Sequence, residues 1–521
     1  MRWTLPLILF PCLTAAQVVP ESSSYNADVV WESTFTQGPA GKVNRGVADS
    51  EGHIGLVFMP DDMSRVHRVN GETGALMWTR TIEGTAGFGI AVYEAPDGPD
   101  YIVTGGSGSS QERWMARLDG GDGSIVWSQT YNAPGGVGSY DGIRMAVEGT
   151  DGYLYGAGFV GGDEAGTIFV VYGGAGNVVK VDPADGALVW SENVPGSEYV
   201  LAVAEAGGMM YAATAEWDED LGISAMGMDG SLLWQESLSG TDDVIPYDLA
   251  TDGSHLYYGG HRGRPGAGDP FDFSCIKASL DGQVEWIGHY ANPRGYSLSH
   301  IRNELYGVKA DASGIYLFGG TGDESGYSEQ LPPYESSDVW NGWALKVDGN
   351  GDILNSAVFC QDGVNTATEY GCLVDGGYVL FNDTDAGGDT EVGVMRIAEP
   401  QVNGVSAAPS SPGLVQVMHR QGQQILCASQ PVQCSILDAS GRTLWSGGLE
   451  GEMTLPWFGP GLLIVLVASS DASEVHRLTQ TAPLAVHFPP PISQPKHTQP
   501  PDPPVTSPFL CFFSMYFFFL F

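Results

Sequence analysis

Along residues 27–400 one hydrophobic pattern returns again and again. A short run of alternating apolar and polar residues ends in Asp or Asn, a turn closing on Gly follows, and Trp stands four residues after that Gly. The fullest copy reads Val69-Asn70-Gly71-Glu72-Thr73-Gly74-Ala75-Leu76-Met77-Trp78. It recurs as Asp119, Gly123 and Trp127, then as Asp182, Gly186 and Trp190, and with shorter turns as Gly230 and Trp234, and as Gly282 and Trp286. A sixth copy, Asp348-Gly349-Asn350-Gly351, places Asn355 where Trp would fall. Alternation with period two predicts strands. Asp or Asn accepts hydrogen bonds from the turn backbone and Gly supplies positive φ, so each copy is a β-hairpin. Between the copies lie further strand-turn-strand patterns, such as Asp151-Gly152-Tyr153-Leu154-Tyr155 and Asp252 to Gly260. Each repeat therefore offers about four short strands.

The Trp-type strands begin near Trp31, Trp78, Trp127, Trp190, Trp234, Trp286 and Asn355, which makes seven. The strands that feed their turns also number seven. The last of these, Val392 to Ile397, is followed only by Glu399-Pro400, whereas the first Trp-type strand, Val29 to Phe35, has no partner ahead of it. One missing partner at each end is what a closed ring requires. The expected fold is all-β: a seven-bladed β-propeller over 27–400 in which the N-terminal strand completes the last blade.

The pattern changes at both ends. Met1-Arg2, an apolar run from Trp3 to Leu13 and the small residues Thr14-Ala15-Ala16 read as a secretory signal peptide over 1–16, cleaved before Gln17. No later run is long enough for a transmembrane helix. Residues 401–480 read as a small β-sandwich. Residues 481–521 are Pro-rich and then Phe-rich, hold ten of the 32 prolines, and read as a disordered tail or a spurious extension. Export permits disulfides. Cys427 and Cys434 flank Ser429-Gln430-Pro431-Val432 symmetrically, and a hairpin centred there would pair them; Cys360 and Cys372 form a second, weaker pair.

Composition sharpens the class. The chain has 521 residues, with 62 acids against 22 bases and a net charge of −40. That excludes nucleic-acid binding by phosphate neutralisation and docking on anionic lipid. The 73 glycines are about double the usual share, as a chain of hairpin turns demands.

The stretch Asn70 to Trp78, and nearly as well Asp182 to Trp190, resembles the repeat of pyrroloquinoline-quinone-like propellers, D-x-x-T-G-x-x-x-W. The resemblance implies the fold and gives Trp31, Trp78, Trp127, Trp190, Trp234 and Trp286 a structural role between blades. The quinone dehydrogenases of that superfamily stack their cofactor on a vicinal disulfide and hold calcium with Glu, Asn and Asp. No two cysteines are adjacent here and no matching ligand set is found, so no cofactor is expected. Residues 436–445 (Ile-Leu-Asp-Ala-Ser-Gly-Arg-Thr-Leu-Trp), Gly459 to Val467 and the closing Val475-His476-Arg477 are similar to the C-terminal sorting domain of the type IX secretion system of Bacteroidetes. That resemblance implies contact with the secretion machinery and a secreted, extracellular or cell-surface address.

Candidate chemistry is sparse. Neither G-x-S-x-G nor H-E-x-x-H occurs. Asp383, Asp385 and Asp389 on a Gly-rich loop form the best oxygen cluster for calcium. Tyr327, Tyr334 and Trp340, among the acids of a long insertion, suit stacking on a sugar. His261, Arg262 and Arg264 offer an anion contact. The expectation is a binding or scaffold module for a glycan or a surface protein. The alternative is an enzyme in the channel, either a quinone-type oxidoreductase or a glycan hydrolase or lyase.

Overall fold

A computed structural model describes residues 17–18, 29–35 and 42–399, with breaks at 61–62, 108–111, 133–139, 163, 168–169, 173, 216–220, 239–244, 264–270, 293–300, 324–339, 360–363 and 386–390, and the strands between 415 and 480. The expected signal peptide and the tail lie outside the described residues. Among those described no helix occurs, so none is long and apolar enough to cross a membrane. The chain divides into two units, Met1–Val402 and Asn403–Phe521.

The first unit is a seven-bladed propeller of four-stranded antiparallel sheets. Blade 1 comprises Lys42–Ala48, Ile54–Met59, Ser64–Val69 and Leu76–Ile82, from the inner strand outward. Blades 2 to 6 follow over 85–131, 140–193, 199–237, 245–291 and 301–359. Blade 7 takes three strands from 366–398 and its outer strand, Val29–Phe35, from the start of the chain, paired antiparallel from Phe35 on Val392 to Val29 on Ile397. Gln17–Val18 adds a short parallel strand beside Tyr290 and Ala291 of blade 5.

Two series of register slips shape every blade. Each inner strand carries an extra residue against the second strand. Examples are Phe88, Leu201, Tyr247, Tyr306 and Glu369; blade 3 slips twice, at Asp141 and Arg144. Each outer strand slips just ahead of the Trp position, at Val30, Met77, Val126, Val189, Leu233, Glu285 and Leu354. A bulge turns two successive residues outward and twists the edge away from further pairing. That is why exposed aliphatic pairs such as Leu76–Met77 and Ile125–Val126 sit on outer strands.

Neighbouring blades bury apolar faces against each other, as where Val57 and Val66 of blade 1 meet Tyr101, Val103 and Trp114 of blade 2. A polar staple then fixes most junctions. The Trp78 indole N–H and its cross-strand neighbour Arg68 both donate to the carbonyl of Gly120, at 2.8 and 2.7 Å. Trp127 and Arg117 share the Pro183 carbonyl, Trp190 and Lys180 that of Met228, Trp286 and Lys277 that of Gly349, and Trp31 and Arg396 that of Gly71. Opposite Trp234 stands Ala225, and the Tyr211 hydroxyl reaches the Leu280 carbonyl instead.

The turn glycine lies under the neighbouring indole. Gly123 has φ +71°, and a Cβ there would stand 2.7 Å from Trp78. Gly123→Ala combines backbone strain with a steric conflict, and we expect it to cost about 3 kcal/mol in urea-unfolding free energy. An unchanged midpoint would refute the staple geometry.

The second unit contains one hydrogen-bonded set of five strands. Gln423–Asp438 is central, Thr443–Thr454 pairs along one edge of it, and Val415–Arg420 and Gly461–Ala468 pair with its first and second halves. Ser473–Gln480 follows on Gly461–Ala468. This corrects the expected Cys427–Cys434 disulfide. The strand runs straight through Ser429-Gln430-Pro431, which form a bulge opposite Glu450 rather than a hairpin turn. Seven residues of strand separate the two cysteines by roughly 20 Å, far beyond disulfide reach, and Cys434 is a free thiol. Cys372 is likewise free and buried, and Cys360 lies outside the described residues.

Two buried histidines make the ring acid-sensitive. Burial, then the nearby Arg65 charge, lowers the His67 pKa to about 4; burial, then Arg262, lowers that of His289 to about 3. Both are neutral when folded, and unfolding frees them to take protons below their ordinary value near 6.5. Their contribution is therefore intact above pH 6.5 and is lost as pH falls toward 4 and then 3. Urea midpoints should fall across that window, and the double variant His67→Gln/His289→Gln should flatten the fall.

Candidate functional site

Side chains of four inner strands meet in the channel. Arg45 of blade 1 reaches round to blade 5, where its Nη1 donates to Asp248 Oδ1 at 3.1 Å and its Nη2 to the Tyr247 carbonyl at 2.9 Å. Asp248 is fully buried. Its other oxygen accepts from Lys309 Nζ at 2.7 Å, the Tyr370 hydroxyl at 2.8 Å and the Val308 N–H at 3.1 Å. Arg45 and Lys309 also donate to the Tyr370 oxygen, at 2.7 and 2.6 Å. Burial alone would raise the Asp248 pKa. The charges of Lys309 and Arg45 and the hydrogen bonds outweigh it and hold the carboxyl below its ordinary range. Blades 1, 5, 6 and 7 are thus tied through one carboxylate. Arg144, on blade 3, is also buried, and burial followed by repulsion from Arg45 lowers its pKa to about 9.

Beside this lock lies an aromatic group. His261 stacks on Tyr247 at 4.9 Å between ring centres and stands edge-on to Tyr306 at 5.5 Å. Its Nδ1 is 3.4 Å from the Leu305 carbonyl, and burial lowers its pKa, so the ring is neutral and donates there. The Tyr306 hydroxyl donates to Glu304 at 2.7 Å. Glu304 and Glu369, both half-buried, reinforce the effect of burial in raising the Tyr247 and Tyr306 pKa values, so both phenols stay protonated. None of these groups was singled out from sequence except His261.

The other sequence candidates fall in several places. Arg262 is buried at the end of the same strand as His261, and Arg264 lies outside the described residues. Trp340 opens the third strand of blade 6, half-buried, with Gly320 and Gly322 against its ring; its backbone N–H donates to Asn365 Oδ1 at 2.8 Å. Tyr327 and Tyr334 are outside the described residues. Asp383 is buried, and Asp385 accepts from the Asn365 N–H at 2.8 Å and its Nδ2 at 3.0 Å, while Asp389 is outside the described residues. Among the described residues no group of three or more His, Cys, Asp or Glu could hold a metal ion.

Strand alternation sorts the connections onto two faces. The tight Asp/Gly turns share one face. The strand ends that open onto the other face are those between second and third strands and those between blades.

Comparison with known proteins bears on the repeats. Residues 111–301 match the PQQ_2 family, described as outer membrane protein assembly factor BamB. The repeats of that stretch are thus pyrroloquinoline-quinone-like. The WD40 β-propeller domain of Doa1 is similar to 72% of this chain and 97% of its own, at 11% identity and a TM-score of 0.44. The quinohemoprotein alcohol dehydrogenase ADHIIG from Pseudomonas putida HK5 is similar over 72% of this chain and 69% of its own, at 12% identity and a TM-score of 0.38. No curated protein matches the chain.

Proposed function

We propose that this is an exported, secreted or cell-surface binding and scaffold protein whose partner is a glycan or a surface protein, engaged on the face of long connections. The observation that carries the reading is the Asp248 lock. Arg45, Lys309 and Tyr370 satisfy that carboxylate within the channel, which leaves the long connections as the place for a partner. The signal-like residues 1–16 and the resemblance of 401–480 to a type IX sorting domain support export through that machinery. Calcium at Asp383, Asp385 and Asp389 belongs to the same reading as a variant. A glycan array probed with the mature full chain, with and without EDTA, tests it. Binding to a restricted glycan set is expected, lost with EDTA if the calcium variant holds. No binding in either condition would remove the glycan reading.

A second reading, a glycan hydrolase or lyase, is favoured by one observation: two half-buried carboxylates stand on neighbouring inner strands, Glu304 of blade 6, which accepts from the Tyr306 hydroxyl at 2.7 Å, and Glu369 of blade 7. Acid–base cleavage of a glycosidic bond uses such a pair.

A further inference from the structure

The inner, second and third strands of blade 6 carry a row of three polar side chains in register. Asn303 pairs with Thr321, and Thr321 with Asn341. Paired residues on adjacent strands point to one face. That face looks toward blade 5, because Asn303 Nδ2 donates to the Phe271 carbonyl at 3.3 Å. One step deeper on the same face, Trp343 packs on Phe273 at 4.1 Å.

All three side chains are fully buried, yet four of their polar atoms have no hydrogen-bond partner: Asn303 Oδ1, Thr321 Oγ1, and both Oδ1 and Nδ2 of Asn341. An orphaned buried polar atom costs stability, and apolar side chains of similar shape would avoid the cost. The position does not always leave an orphan. In blade 2 the counterpart of Asn303 is Thr85, whose hydroxyl is satisfied by the Ile82 carbonyl and by Ser64, whereas in blade 7 the counterparts of Asn303 and Asn341, Thr366 and Glu391, each keep one unpartnered oxygen; the row of blade 6 differs from that one in carrying four such atoms and no charge. The row is also uncharged, and it ends where the 324–339 insertion leaves and re-enters the blade, two residues after Thr321 and one before Asn341.

We propose that Asn303, Thr321 and Asn341 are the polar floor of a binding site for a neutral, hydroxyl-rich ligand, a hexose or N-acetylhexosamine unit. A sugar hydroxyl both donates and accepts, which suits three acceptor-capable oxygens and one amide donor in a line. The proposal rests on the glycan reading above and names the residues that would read the sugar.

The test uses the mature full chain and two variants of similar shape, Thr321→Val and Asn341→Leu. Saturation-transfer NMR with glucose, galactose, mannose and N-acetylglucosamine reads binding, and a thermal melt reads stability. The parent should show transfer to at least one sugar. The variants should melt at or above the parent temperature and bind that sugar about tenfold more weakly or not at all. Stability gained while binding is lost distinguishes a ligand contact from a packing role. Unchanged transfer in both variants would overturn the proposal. So would a lower melt for Thr321→Val, which would mean that ordered water already satisfies the hydroxyl. So would a parent that transfers to none of the four sugars. In each of these cases the glycan array decides separately whether the broader reading stands.

Discussion

Asp248→Asn is expected to destabilise the propeller by about 3–5 kcal/mol, the cost of breaking a buried ion pair from one side. The substitution keeps the shape and removes the charge. Arg45 is then buried beside Arg144 without the carboxylate that offset it, and a guanidinium does not escape by losing its proton. Lys309 has an exit, because its side chain is about a quarter exposed (26%). The damage should therefore concentrate on Arg45. Adding Arg45→Met to Asp248→Asn should return part of the loss, a non-additivity that a double-mutant cycle in urea reads directly. If the two substitutions simply add, the cross-channel bond between Arg45 and Asp248 is not a stabilising contact.

Deleting Val29–Phe35 should have a still larger effect, comparable to the whole stability of an ordinary domain of about 5–15 kcal/mol. The deletion bares the edge from Val392 to Ile397. It strips Trp31 and Phe35 from the apolar cluster they share with Ile54, Val69, Phe381 and Val394. It also removes the Trp31 bond to the Gly71 carbonyl and the Ser33 bond to that of Gly74. An open ring with a bare apolar edge should aggregate rather than purify as a monomer. A circular permutant separates closure from mere truncation. Joining Ile397 to Val29 through the Asn70–Ala75 turn sequence, and opening the chain within 133–139, should fold as the parent does. Size-exclusion chromatography reads both chains. A monomeric, cooperatively melting deletion would refute closure by this strand.

Much of this ring was legible because its repeat is local turn chemistry. Asp or Asn, a positive-φ Gly and a Trp four residues later announce themselves in a few residues. The one departure, Asn355, has a reason visible only in the ring. Blade 7 takes its outer strand from the other end of the chain, so no continuous turn lies beneath blade 6 at that junction. Glu399 stands in for the missing carbonyl, accepting from Lys346 and, at 2.8 Å, from the Tyr316 hydroxyl. An indole there would have had no turn glycine to cover.

The cation at six of these seven junctions, all but that of Trp234, also left a signal in the sequence. Arg68, Arg117, Lys180, Lys277 and Lys346 each stand two residues ahead of the turn, Arg396 holds the same place in blade 7, where no turn follows, and together they make up six of only 22 bases. Scarce positive charge has been concentrated on the junctions. The channel was not legible. Arg45 and Asp248 are 203 positions apart, and Asp248 and Tyr370 122, so no local pattern joins them. Cys427 and Cys434 misled because symmetry about Gln430-Pro431 marks a bulge as readily as a turn.

The most direct test of a binding protein with a locked channel is the fate of a glycan that it retains on the array. Incubated with the mature protein and examined by mass spectrometry, that glycan should be recovered intact. Shortened, unsaturated or oxidised products that disappear with Glu304→Gln/Glu369→Gln would contradict the account and establish an enzyme in its place.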